Sequence, residues 1–183
     1  LIKAEGPQTL AALSILTHVS TLAAKYDVRL IVTLSQPEVL PVATDVVKQA
    51  LLTEGKLDLF REDTVRYLSS NQFAYAAAVM GILQREGAAA NIMMGYYGGE
   101  SLLLSEAGHE GGGIQISGTA NISQVPYFVA SCDYTLIGEE LFVGAAVLSQ
   151  DAVQLGSVAG QDLIKAVIWL LAMAGIISAQ LGG

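Results

Sequence analysis

The chain has 183 residues, enough for one full hydrophobic core and an appendage but too few for two ordinary domains. Charged residues make up only 14% of it, and its nine lysines and arginines are scattered along a chain of net charge −8. Because nucleic-acid binding depends on clustered basic side chains, this composition argues against a partner of DNA or RNA.

Apolar residues at helical spacing alternate with short apolar runs rich in β-branched residues from Pro7 to Leu148. The predicted helices cover residues 7–26, 36–52, 73–85, 100–107, 123–130 and 139–148. The predicted strands cover residues 28–34, 65–68, 90–94, 114–117 and 134–137. Helices that alternate with short, buried strands indicate a parallel sheet with helices on both faces. We therefore expect a three-layer Rossmann-like or flavodoxin-like α/β domain with a mostly parallel sheet of about five strands.

Local signals suggest where some of these helices begin and end. Ser35 stands three residues before Glu38, and Ser69 stands three residues before Gln72, which is the spacing of a capping box. Gly87 follows the third helix and is expected to end it.

The C-terminal stretch carries a single charge, Lys165, after Asp162. From Leu163 to Leu181 it holds about 19 mostly apolar residues, close to the roughly 20 that span a bilayer. No polar stripe at helical spacing interrupts it. We therefore predict an α/β domain over residues 1–157 and a transmembrane helix over residues 158–183, with a helix buried in an oligomer as the alternative.

Two side chains in this stretch bear on its placement. Lys165 is near enough to the start to extend toward the membrane surface, and Trp169 lies one turn further in. A lysine on the domain side favours a cytoplasmic domain at the cell membrane. The chain begins at Leu1 rather than at a methionine, and we expect the gene product to extend upstream.

Loops that leave the ends of parallel strands lie along one edge of the sheet, where open α/β sheets bind their ligands. The candidate ligand-binding residues on this edge are Gly95, Tyr96, Gly98, Gly99, Glu100, Gly118, Thr119, Gly138, Glu139 and Glu140. Carboxylates here can hold a divalent cation or transfer protons, although the helix dipole alone favours acidic residues in a first helical turn. Tyr96 and Tyr97 are candidates for stacking on a flat ligand or on a neighbouring subunit.

No cofactor, metal site or catalytic residue is predicted. Residues 95–99 lack the spacing of a dinucleotide fingerprint and the lysine of a P-loop, and Glu100 places an acidic residue where a phosphate would bind. Cys132 is the only cysteine, and it lies with His109 on the opposite edge, whereas His18 is within a helix. The charge-dense connection from Glu54 to Asp63 is expected to be solvated, with recruitment of a basic protein as an alternative.

Several segments resemble an uncharacterised bacterial family. They are Ser70-Asn-Gln-Phe-Ala-Tyr-Ala, Glu100-Ser-Leu-Leu-Leu-Ser-Glu-Ala-Gly, the run from Val125 to Leu141, and Gln161-Asp-Leu. The resemblance implies one α/β domain held to the membrane by flanking hydrophobic helices. It implies no known activity.

The low charge content indicates that something covers the surface of this protein, either a membrane or further copies of the chain. We therefore expect the lipid bilayer and the chain itself, as a homo-oligomer, to be the partners. The first functional hypothesis is a membrane-anchored, self-associating α/β domain that acts as a structural or scaffold subunit. The alternative is a small-molecule or nucleotide-binding domain, with or without an enzymatic activity, that uses the crevice at the carboxyl ends of the strands.

Overall fold

A computed structural model describes the backbone of residues 6–181 and the side chains of residues 6–177. The α-helices within this range are α1 (Pro7–Lys25), α2 (Leu40–Thr53), α3 (Gln72–Glu86), α4 (Glu100–Glu110), α5 (Val125–Ser131), α6 (Glu140–Ser149) and α7 (Ala152–Leu181). The strands are β1 (Val32–Leu34), β2 (Val65–Tyr67), β3 (Ala90–Met94), β4 (Ile114–Thr119) and β5 (Tyr134–Ile137). Short 3₁₀ helices, Pro37–Val39 and Leu57–Leu59, lie on either side of α2. The chain is therefore a mixed α/β protein.

All strand pairs in the described residues are parallel, but they form two sheets. β1 pairs with β2, while β3, β4 and β5 pair in that order. The predicted five parallel strands are confirmed, whereas the predicted single hydrogen-bonded sheet is not formed in this part of the chain. The three-layer Rossmann-like arrangement stays a prediction.

The backbone of β1 explains part of this division. The N–H of Val32 donates to Thr64 of the β2 side, and the carbonyl of Leu34 accepts from Leu68 on the same side. Thr33 between them directs its backbone groups the other way, because alternate residues of a parallel strand bond to opposite neighbours. There its carbonyl accepts a hydrogen bond from the hydroxyl of Tyr75 at 3.3 Å. A side chain thus takes an acceptor that a neighbouring strand would otherwise use.

Helices pack on both faces of β3. Met93 belongs to a buried cluster with side chains of α3, α4 and α5, and Met94 belongs to a second cluster with side chains of α1, α2 and α6. Successive side chains of a strand point to opposite faces, which places the two clusters on either side of β3. The largest contacts of α1 are with α6 and α2, so these three helices form one of the two layers.

A buried glutamine joins α4 to the sheet. The Gln115 side-chain amide donates to the carbonyls of Gly108 at 2.9 Å and of Gly113 at 3.0 Å, and its Oε1 accepts from Asn91 at 2.9 Å. A Cβ on Gly108 would lie 1.9 Å from Oε1 of Gln115. This close approach is possible only because residue 108 has no side chain.

Two of the expected caps are wrong and one helix end is confirmed. Asn71, rather than Ser69, caps α3, because its side chain accepts from the N–H groups of Phe73 and Ala74, both at 3.1 Å. The hydroxyl of Ser35 caps no helix: it is buried and has no hydrogen-bond partner among the described residues. Gly87 ends α3 as predicted, with φ of 58°.

The compact α/β unit ends at Ser149, and a second unit begins at Gln150 and contains α7. The predicted boundary between residues 157 and 158 lies inside α7, whose first turn is capped by Asp151. Every side chain from residue 161 to residue 177 is exposed. By length and composition, α7 is the one helix in the described residues that is long and apolar enough to cross a membrane.

Candidate functional site

The loop that leaves β3 begins with a backbone conformation that favours glycine. Gly95 has φ of 130°, and its N–H donates to the carbonyl of Gly118, at the end of β4, over 3.0 Å. Gly118 is itself surrounded closely, since a Cβ there would lie 2.7 Å from the sulfur of Met94 and 3.1 Å from Leu141. These glycines therefore bring the ends of β3 and β4 together.

The buried side chain of Glu100 forms a hydrogen bond within the same loop. Only 2% of this residue is exposed, and its Oε2 accepts the N–H of Gly98 over 3.0 Å at the start of α4. The side chain of Gln72 also reaches this loop, where its Oε1 would lie 2.8 Å from a Cβ on Gly98. Gly99 is exposed and acts as the N-cap position of α4 without a side-chain hydrogen bond. The Glu100 carboxylate thus accepts the Gly98 N–H, a donor at the helix start that a bound phosphate would need.

The tyrosines of this edge belong mainly to the core. Tyr97 is buried with its ring edge-on to Phe128, the centroids 5.1 Å apart and the planes at 85°. Tyr75 is buried and shares a hydrogen bond of 2.9 Å with the hydroxyl of Thr33. Burial raises the pKa of both phenols above the usual value near 10. Of the two tyrosines in the loop, only the half-buried Tyr96 has a ring that reaches the surface.

The loops after β4 and β5 are tied to this edge by backbone hydrogen bonds. Thr119 is buried, its hydroxyl accepts from the N–H of Asn121 at 3.1 Å, and its carbonyl accepts from Gly138 at 3.0 Å. The Asn121 amide donates in turn to the carbonyl of Tyr97 at 2.7 Å. The loops after β3, β4 and β5, which hold the predicted ligand-binding residues, are therefore neighbours.

The two acidic residues after β5 differ in what they contact. Oε2 of Glu140 accepts the N–H of Ile137 over 2.8 Å, whereas Glu139 is exposed and its carbonyl accepts from the first turn of α6. Gly138 between strand and helix has φ of 60°, a conformation that glycine adopts without strain. Glu140 therefore stabilises the strand-to-helix turn. Among the described residues, no group of three His, Cys, Asp or Glu side chains is placed to hold a metal ion.

The histidines and the cysteine lie away from this edge. Burial, opposed by a hydrogen bond with Ser117, raises the pKa of the partly buried Cys132 thiol, which disfavours the reactive thiolate. His109 is exposed in the last turn of α4. His18 lines a cavity of about 240 Å³ with hydroxyl side chains of α1 and residues Leu148 and Ser149.

A second cavity lies at the opposite edge of the α/β unit, and residue patterns did not single it out. It measures about 210 Å³ and lies between the C-terminal end of α1, α2 and the charge-dense connection after α2. Buried Ala23, Val47 and Leu51 form its apolar floor. Its remaining lining includes two arginines and three aspartates, together with Val28, Leu30, Ile31, Leu59 and Thr64. The one sequence feature that could have indicated this cavity is the high charge density of residues 54–63.

The residues expected at the membrane surface lie in α7. Lys165 pairs with Asp162 of the preceding turn at 3.9 Å, and Trp169 is 71% exposed one turn further along. Both are thus positioned on an unburied part of the helix.

Searches of curated proteins and of solved structures found no match. A search of protein families found one that covers nearly the whole chain. Residues 2–183 match the family described as Domain of unknown function (DUF6754), and the chain belongs to that family.

Proposed function

We propose that this protein is a membrane-anchored α/β domain that self-associates as a structural or scaffold subunit of a homo-oligomeric assembly. The observation that supports a membrane anchor is that every side chain from residue 161 to residue 177 of α7 is exposed. A run of apolar side chains left in water costs roughly 25 cal/mol for each Å² of apolar surface, so another medium must cover it. The bilayer is the partner of matching chemistry.

The dimensions of α7 fit this partner. The candidate span, Ala152–Ile177, has 26 residues and is about 39 Å long at roughly 1.5 Å per residue, against a hydrocarbon thickness of about 30 Å. Its only charges in the described residues, Asp162 and Lys165, pair with each other near the middle of this span. From Leu163 to Leu181 the helix is about 28 Å long at roughly 1.5 Å per residue, so the bilayer core would hold this segment while Lys165 extends toward the headgroups.

We place the α/β unit on the cytoplasmic face of a bacterial cell membrane. Lys165 lies on the side of the span that precedes the uncharged segment, and basic residues near a span favour the cytoplasm. The pairing with Asp162 lowers the cost of bringing Lys165 close to the headgroups. We also assign a three-layer Rossmann-like architecture to this unit, which is supported by the opposite packing of Met93 and Met94.

Self-association is supported by apolar side chains that the α/β unit leaves exposed. Ile122 is 81% exposed, Tyr134 is 67% exposed on the edge strand β5, and Leu10 is 66% exposed on α1. These side chains belong to a chain in which only 14% of the residues are charged. Covering such surfaces with further copies of the chain removes them from water.

Alkaline carbonate extraction of cell membranes tests the anchor. We expect the native chain to remain in the membrane pellet and the double variant Leu170→Arg, Leu171→Arg to appear in the extract, because an arginine at the centre of a span costs about 3 kcal/mol. The control, the double variant Gln154→Arg, Leu155→Arg, places the same two charges in the first turn of α7 and should stay in the pellet. Full extraction of the native chain would rule out a spanning helix.

Light scattering after size exclusion in a mild detergent tests the assembly. We expect a mass that corresponds to several chains after subtraction of the detergent. A single monomer at all protein concentrations would contradict self-association while leaving the anchor intact.

The alternative is a ligand-binding domain that uses the strand-end crevice, and the proximity of its three loops favours a site there. The contact of Glu100 with the N–H of Gly98 favours a ligand other than a nucleotide, because a phosphate would face that carboxylate. We expect ATP with Mg²⁺ to leave the melting temperature of the detergent-solubilised chain unchanged. Since a ligand of the native state must stabilise it, a rise that saturates with ATP would show that the chain binds nucleotides and would contradict this expectation.

A further inference from the structure

The cavity of about 210 Å³ combines an apolar floor with a charged rim. Its floor consists of Ala23, Val47 and Leu51, which are between 0% and 9% exposed. Both α1 and α2 contribute to this floor, so rigid helices rather than the loop set its shape. Pockets for drug-sized ligands have volumes of roughly 300–1,000 Å³, and this smaller cavity suits a ligand of few heavy atoms.

Most of the charges at this edge already have partners. Arg29 pairs with Glu86 and with Asp63, and Asp63 also pairs with Arg66. Lys56 pairs with Asp27, whose hydrogen bond is the main reason that the pKa of Lys56 is raised. The two charges of each pair offset each other at the rim. The pairs Lys56–Asp27 and Arg29–Asp63 also connect residues 54–63 to the segment after α1.

Two lining residues of opposite charge remain. Within residues 6–177, the Arg61 guanidinium and the Asp58 carboxylate form neither a side-chain hydrogen bond nor a salt bridge, and Asp58 acts on Lys56 only through the weaker charge attraction that helps raise the pKa of Lys56. They lie three residues apart, on either side of the exposed end of the 3₁₀ helix at Leu57–Leu59. The cavity therefore offers one cationic group, one anionic group and an apolar floor.

We infer that this cavity binds a small zwitterion with an apolar side group, of the class of the apolar α-amino acids. The carboxylate of the ligand bonds to Arg61, whose planar guanidinium suits two parallel hydrogen bonds. The ammonium group bonds to Asp58, and the aliphatic side chain covers Val47 and Leu51. Each charged group of the ligand thus meets a side chain of opposite charge, and its aliphatic part lies against the apolar floor.

The charges select against simpler ligands. An aliphatic carboxylate satisfies Arg61 but adds a negative charge beside Asp58, and an aliphatic amine does the reverse beside Arg61. Only a ligand with both charges completes the pair. The site lies at the edge opposite the strand-end crevice, so it does not depend on that crevice or on self-association.

Thermal unfolding of the full chain in detergent, with added L-leucine, tests the inference. We expect L-leucine to raise the melting temperature in a saturable way, and 4-methylpentanoate and 3-methylbutylamine, which each lack one charged group, to do so at least threefold more weakly in apparent affinity. Because both rim charges are exposed, Arg61→Gln and Asp58→Asn should each weaken L-leucine about threefold to fivefold.

Matched controls separate the site from general electrostatics. Arg85→Gln and Asp45→Asn remove the same charges from exposed positions outside the cavity and should leave the L-leucine response unchanged. Leu59→Trp fills the cavity from its partly exposed rim and should abolish the response without lowering the melting temperature of the free protein. No response to L-leucine, an equal response to the three ligands, or an equal effect of the control variants would each overturn the inference.

Discussion

Gly108 shows how a single residue can depend on a contact distant in sequence. It lies in the last turn of α4, where its missing side chain leaves room for the Gln115 amide. That amide bonds to α4, to the connection before β4 and to β3 through Asn91. Burial makes these hydrogen bonds valuable, because an unsatisfied buried polar group costs about 1–3 kcal/mol.

Gly108→Ala is therefore expected to lower the free energy of unfolding by about 2–4 kcal/mol, from overpacking together with loss of Gln115 hydrogen bonds. Urea unfolding of the detergent-solubilised chain measures it. The control is Gly81→Ala in α3, where the new Cβ would meet only the flexible end of Arg85, at 2.9 Å. Helix propensity should make that control neutral or stabilising. Equal effects of the two substitutions would show that the Gln115 contact has no special role.

At the scale of elements, β5 is an edge strand of its sheet and needs protection from unwanted pairing. Its last residue, Ile137, donates its N–H to the Glu140 carboxylate at the start of α6. The negative charge of this carboxylate also interacts favourably with the positive end of the α6 helix dipole. One acidic side chain thus stabilises the strand end and the helix start together.

We expect Glu140→Ala to reduce the free energy of unfolding by about 1 kcal/mol, the typical net value of one lost hydrogen bond. Glu139→Ala is the matched control, because Glu139 is the neighbouring acidic residue and is exposed, whereas the N–H of Ile137 donates to Glu140. Chemical unfolding of both variants measures the difference. The stabilising role of the Glu140 hydrogen bond would be refuted by a Glu139 variant that loses as much stability as the Glu140 variant.

For the molecule as a whole, two buried phenols link stability to pH. Tyr75 and Tyr97 are each 1% exposed, and burial raises the pKa of both above the usual value near 10. The folded state therefore keeps its phenolic protons at a pH where the unfolded chain releases them. By linkage, the stabilisation is complete below about pH 10 and is lost as the pH rises beyond it.

Thermal unfolding between about pH 8 and pH 12 checks this expectation. We expect a melting temperature that falls above about pH 10, with an additional rise in tyrosinate absorbance at the unfolding transition as the two buried phenols become exposed. Tyr67→Phe, which removes a more exposed phenol, is the control and should leave the pH dependence unchanged. A melting temperature that stays constant through pH 11 would contradict the expected linkage.

Some elements could be predicted from the sequence because their signals are local. The bounds of β3 and β5 and the end of α3 at Gly87 agree with the prediction. β1 is shorter than predicted, beginning at Val32, and Arg29 in the preceding segment pairs with Glu86 instead. That partner is distant in sequence, so periodicity could not reveal it. The strand-end residues also became neighbours as expected, although their hydrogen bonds to one another depend on tertiary contacts.

The amino-acid sequence by itself determined the alternation of helices and parallel strands and the long apolar C-terminal helix, because spacing and side-chain type act within one element. Only the tertiary structure decided that the strands form two sheets, that Glu100 occupies the start of α4, and that Asp58 and Arg61 share a cavity with the floor of α1 and α2. Each of these outcomes depends on which residues from separate elements meet, and on the hydrogen bonds and charges that remain after they do.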